Sequence, residues 1–150
     1  MIKLKNILTE KTTKKSYIPE SFSATADNEY GQFIVKLLAV RDQSHIFHWQ
    51  TKSFARHEAF GKFYEEYLEL IDELVESIMG LKGRPIIGNA TIEITDYSPL
   101  AISEFLDKTY DTLSNHLKEV LSDFDVEEIF DQAKLILLQI DKLKYLLTLK

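Results

Sequence analysis

Apolar positions repeat at helical spacing in four blocks of this chain. In the first, from about 27 to 49, Tyr30, Phe33, Ile34, Leu37 and Leu38 recur at intervals of three and four. Asp27 or Asn28 is placed to cap its start. The second block runs from about 54 to 81, with Phe60, Phe63, Tyr67, Ile71, Leu74 and Ile78 as one stripe. Ser53 suits its N-cap, and Gly83 followed by Pro85 suits its end. The third begins at Ser98-Pro99, a cap followed by proline at the first helical position, and runs to about 121. A tight turn over 122–125, with a capping aspartate, leads into the fourth, about 126 to 149. It carries Ile129, Phe130, Ala133, Ile136, Leu137, Ile140, Leu143 and Leu147.

The connections decide how four such helices pack. The first and second helices, and the third and fourth, are joined by short turns, so each pair is an antiparallel hairpin. The link over 84–97 is long enough to travel from one end of a bundle to the other, and Ile92 and Ile94 alternate with polar residues as a short extended piece would. The expected fold is all-α. A four-helix bundle with one long central crossover resembles the ferritin-like arrangement. Residues 1–27 are polar and weakly periodic and read as an N-terminal arm, leaving 28–150 as the bundle.

Composition narrows the functions. No cysteine is present, which excludes disulfides, thiolate metal sites and cysteine nucleophiles. No run of apolar residues is long enough for a membrane span or a signal peptide, so a cytoplasmic protein is expected. The net charge of −6 disfavours a body that coats nucleic acid and favours one that attracts cations. Five lysines, Lys3, Lys5, Lys11, Lys14 and Lys15, do fall in the arm. They have a DNA-binding reading, against which stands a solvated or subunit-bridging tail.

The histidines are unevenly spread. His45, His48 and His57 straddle the first turn, and His116 stands apart with only Asp111 nearby, so it is expected at the surface. On a helical wheel His57, Asp72 and Glu76 lie within about 100° of one another, beside the apolar stripe. Asp72 and Glu76 are one turn apart, a spacing at which two carboxylates can hold a hard divalent cation. His57 is fifteen residues from Asp72, roughly 22 Å along the axis, so one chain cannot close such a site. A two-fold axis crossing the second helix near Glu66 and Tyr67 would bring His57 of one chain to Asp72 and Glu76 of its mate, twice per dimer. His48 could join from the same side.

The run His48-Trp49, Phe54, His57-Glu58, Asp72, Glu76 resembles the signature of Dps-type miniferritins, and 125–133 is similar to the start of that family's last helix. The stretch 50–57 is similar to uncharacterised ferritin-like proteins of bacteriophages. The resemblance implies hollow dodecamers built from two-fold dimers. It also implies that His48, His57, Asp72 and Glu76 ligate Fe(II) for oxidation by peroxide or oxygen and storage of the ferric product, with zinc or manganese as other occupants. His45 and Glu65 are secondary candidates, His45 having a core or interface role as its alternative.

Two departures bear on this. Gly61 stands where the family usually has an acidic residue, which weakens a second iron position unless Glu65 or water substitutes. The first turn is also about three residues shorter than usual, which bears on how His48 sits against His57. No Glu-x-x-His occurs, so a diiron site within one subunit is not expected. Two other readings stand beside the ferroxidase: an assembly protein, such as a phage might encode, that keeps the bundle without turnover, and a DNA-compacting protein acting through the arm.

Overall fold

The computed structural model describes residues 26–150. They form a bundle of α1 (Ala26–Gln50), α2 (Phe54–Lys82), α3 and α4 (Glu127–Leu146). Helix α3 has three continuous parts: Pro99–Asp111, a π-helical turn at Thr112–His116, and Leu117–Val120. The link over 84–98 contains no strand, so the alternating Ile92 and Ile94 are irregular chain. Its backbone partners lie on side chains of α1, and no neighbouring strand offers a ladder.

Local chemistry explains most boundaries. The Ser53 hydroxyl accepts from the Arg56 amide at 3.3 Å and opens α2. Ser98 does the same for Ala101 at 3.0 Å, with Pro99 following. Gly83 ends α2 at φ 77°, a conformation that side chains disfavour. Three expectations shift. Helix α1 begins at Ala26, so Asp27 and Asn28 lie inside its first turn. The cap position of α4 is Val126, with no side-chain cap, and Asp125 is exposed. Helix α4 ends at Leu146, its last residues tightening into turns through Leu147–Tyr145 and Thr148–Tyr145 contacts.

The core is the set of stripes. Phe60, Phe63, Tyr67, Ile71, Leu74 and Ile78 of α2 are all buried, against Tyr30, Phe33 and Leu37 of α1 and Ile136, Ile140 and Leu143 of α4. Each such side chain contributes about 1.5–3 kcal/mol by leaving water. Tyr67 buries its hydroxyl by donating to the Leu37 carbonyl at 3.0 Å, and that burial holds its pKa well above the usual tyrosine value.

The π turn follows from spacing. On α3 the buried positions Phe105, Thr109, Leu113, Leu117 and Leu121 repeat strictly every four residues. In a regular α-helix that row would drift by about 160° over its length. One wide turn takes up an extra residue, roughly 100°, and keeps the row on the core.

The crossover sets the topology. The Tyr30 hydroxyl reaches the Gly83 carbonyl (3.3 Å), and Lys82 Nζ donates to the Val120 carbonyl (3.1 Å). The start of α1 and the ends of α2 and α3 therefore share one end of the bundle. Helices α2 and α3 run in the same direction, and the link must return along the full bundle. It does so along α1. At Gly31 an added Cβ would meet the Ile86 carbonyl oxygen, so only glycine lets the strap pass this closely. Further on, buried Gln43 donates to the Thr95 carbonyl and accepts from the Thr95 amide, both at 2.8 Å. Gln50 accepts from the Tyr97 amide and donates to Asp96. We expect Gln43→Ala to cost about 1–3 kcal/mol in urea unfolding, because two part-buried hydrogen bonds to the Thr95 backbone are lost. Gln50→Ala, at the exposed end, should cost under about 1 kcal/mol. Equal costs would mean that the strap is not held at Gln43.

Candidate metal site

The turn between α1 and α2 brings two histidines face to face. The His48 and His57 rings stack at 3.8 Å between centroids, with 23° between planes. His48 Nδ1 lies 2.8 Å from the His57 carbonyl, and His57 Nδ1 lies 2.9 Å from the His48 carbonyl. A carbonyl only accepts, so both Nδ1 atoms carry the proton and donate. In the neutral rings both Nε2 atoms are then lone-pair donors, the form a metal takes. The His48 carbonyl belongs to the last turn of α1, where helix carbonyls lack an amide four residues on. The same contact satisfies that terminus and sets the tautomer.

Gly61 completes the pair. A Cβ there would lie 3.0 Å from His48 Cε1 and 3.1 Å from Nδ1. The imidazole of His48 thus occupies the space that a side chain at 61 would need. The short first turn and the glycine belong together: the turn draws His48 over α2, and Gly61 makes room. Any side chain at 61 would require the His48 ring, held by its hydrogen bond and its stack on His57, to give by a few tenths of an ångström.

The rest of the expected site divides. His45 packs between Trp49 (4.0 Å) and Tyr64 (4.1 Å), with His48 at 6.1 Å. Its stacking on two rings favours a packing role. Trp49 and Phe54 flank the histidines and are 65% and 79% exposed, large apolar surfaces with no cover among the described residues. Asp72 and Glu76 lie further along α2, exposed and without a hydrogen-bond or ion-pair partner among the described residues, and Glu65 is exposed likewise. The chain does not bring the carboxylates to the histidines; about 22 Å of helix separates them. Lys3, Lys5, Lys11, Lys14 and Lys15 lie outside the described residues.

His116 corrects the sequence reading. It is 4% exposed, not at the surface, and its Nε2 is 3.3 Å from Glu29 Oε2 of α1. Glu29, His116 and Glu119 bring one ligand atom each within 4.8 Å of one another. The spacing His116-x-x-Glu119 is the reverse of the Glu-x-x-His motif, and it places both side chains on one helix face. That spacing was the available signal. The third member, Glu29, sits on another helix and had none.

Residues 48–147 match a family described as being of unknown function, DUF5856. The chain belongs to that family. It is also 30% identical over 110 residues to an uncharacterized 14.6 kDa protein of the mobD-ri intergenic region of enterobacteria phage T4, covering 71% of this chain and 85% of the phage protein. It is 31% identical over 86 residues to DNA protection during starvation protein 2 of Bacillus anthracis. That match covers 55% of this chain and 54% of the relative, so the chain spans about half of it. No solved structure gives a significant match. The DUF5856 match begins at His48 and takes in the histidine pair, Gly61, Asp72, Glu76 and the π turn.

Alanine in place of glycine within a helix normally stabilises by about 1 kcal/mol. We expect Gly61→Ala to gain nothing in thermal or urea unfolding, because the methyl group presses on the His48 ring. In a His48→Ala background the usual gain should return. The same gain in both backgrounds would show that His48 does not fill this space.

Proposed function

We propose that this DUF5856 member is a Dps-like miniferritin that binds and oxidises Fe(II) at sites shared between two chains. The observation that carries this is the locked pair His48 and His57 across the α1–α2 turn, with both Nε2 atoms unpartnered among the described residues, while Asp72 and Glu76, also unpaired among those residues, lie on α2 too far away to join them. Two copies of α2 packed antiparallel about a two-fold axis would set each histidine pair against the partner's carboxylates. Imidazole and carboxylate together suit iron with open positions. Exposed Trp49 and Phe54 beside the histidines are the kind of apolar surface that an interface covers. The partial likeness to the Bacillus anthracis protein supports the same reading.

Fe(II) is the substrate. Two ferrous ions each give one electron to hydrogen peroxide, which takes up two protons and leaves as two waters. Dioxygen is the other oxidant of this class. The residues' part is to bind and orient the ions: His48 and His57 through Nε2, Asp72 and Glu76 through carboxylate oxygens. Gly61 leaves one protein ligand fewer than the miniferritin pattern, so the second ion would be held by water or by Glu65. Cytoplasmic dimers assembling into a hollow dodecamer would collect the ferric product. A bundle kept for assembly without turnover is the competing reading, and the missing ligand at Gly61 is what favours it.

Two experiments separate these. Wild-type protein loaded anaerobically with Fe(II) and given hydrogen peroxide should develop ferric absorbance quickly, and Asp72→Asn/Glu76→Gln should fall to the buffer rate. Wild type at the buffer rate would leave the assembly reading. The second is complementation. His48→Ala/His57→Ala and Asp72→Asn/Glu76→Gln should each be inactive alone. Mixed in equal amounts after dissociation, they should recover about a quarter of the sites, since half of the dimers are mixed and each of those has one intact site. No recovery from chains that assemble normally would overturn the shared site.

A further inference from the structure

We infer that Glu29, His116 and Glu119 form a second divalent-cation site, closed within a single chain at the opposite end of α1 from the histidine pair. The two lie nineteen residues apart on that helix, about 28 Å. This site needs no partner subunit and shares no residue with the first.

The geometry argues for a cation. Three ligand atoms from two helices converge within 4.8 Å. The His116–Glu29 contact, at 3.3 Å, is long for a charge-assisted hydrogen bond, which prefers about 2.7–2.9 Å. It equals the distance between two ligands on a tetrahedral ion with bonds of about 2.0–2.1 Å, namely about 3.3 Å. An imidazole with two carboxylates suits zinc, manganese or ferrous ions, and a fourth position stays open to water.

The histidine itself is the independent observation. It is 4% exposed and packs edge-on to Phe33 at 5.6 Å. Its Nδ1 has no hydrogen-bond partner among the described residues. An ion held by Nε2, the nitrogen nearest Glu29, leaves Nδ1 as the protonated one, so what points to a ligand is a buried imidazole with Nε2 turned to the two carboxylates. The residue ends the π turn, where the Leu117 amide reaches back to the Thr112 carbonyl. That wide turn rotates the following residues and sets His116 and Glu119 towards the first turn of α1. Both carboxylates are exposed, so an ion can enter from solvent. Bound there, it would tie the start of α1 to the end of α3.

The test uses the full chain, Zn2+ as the probe, and calorimetry with thermal unfolding. It is run in the Asp72→Asn/Glu76→Gln background, so that the shared site does not contribute its carboxylates. Adding Glu29→Gln and Glu119→Gln should remove one bound ion per chain and abolish the zinc-induced rise in melting temperature. These exposed positions can change without opening the core, and circular dichroism of the metal-free proteins should coincide. In the parent background, Co2+ should shift the ring resonances of His116. Unchanged zinc uptake after the two added substitutions, or His116 resonances indifferent to Co2+, would overturn the site. Peroxide-driven iron oxidation by a Glu29→Gln/Glu119→Gln protein with intact Asp72 and Glu76 reads the other proposal separately.

Discussion

The bundle depends on a strap that has to be held down. Because α2 and α3 run in the same direction, the chain between them must cross the whole length of the molecule without secondary structure of its own. Such a segment exposes backbone donors and acceptors, and buried ones need partners. Helix α1 supplies them: Gln43 acts as a two-way clamp on Thr95, and Gln50 does the same for Asp96 and Tyr97. Gly31 removes the one side chain that would hold the strap away. Helix α1 is therefore fixed on one side by the core and on the other by the strap. Both candidate sites take ligands from its two ends, where this rigidity matters most.

At the first of those ends, one contact does two jobs. The imidazoles of His48 and His57 satisfy each other's backbone carbonyls, which closes the turn and also leaves the outer nitrogens ready for a metal. A surface histidine can turn away from a ligand at little cost. These two would have to give up hydrogen bonds and a ring stack to do so. Gly61 is the position on α2 that leaves room for the His48 ring. The result is a histidine pair across the α1–α2 turn and a carboxylate pair farther along α2.

The four helices, their stripes and the crossover were legible because they rest on periodicity and loop length, both one-dimensional properties. Every residue of the α2 stripe read from the sequence is buried. The π turn was not read, although the strict four-residue spacing from Phe105 to Leu121 contains it; a period of four is easily taken for an ordinary helix until the drift is summed. The His48, His57, Asp72 and Glu76 spacings were legible as a pattern, but the mutual hydrogen bonding of the histidines depends on how a three-residue turn folds back. The role of Gly61 was equally hidden, because it concerns a ring from another helix. His116 was misplaced because its partner Glu29 is remote in sequence, and a long-range pair has no local signature.

Trp49 is the only tryptophan in the chain, and it lies on His45, one turn from His48. All of the indole emission of this protein therefore arises beside the histidine pair. Its 65% exposure in a single chain means red-shifted, solvent-quenched light, and any second chain laid across this face would dry the ring and move the emission to the blue. The emission of this one ring therefore reports whatever covers that face, with no label and no indole background from elsewhere in the fold.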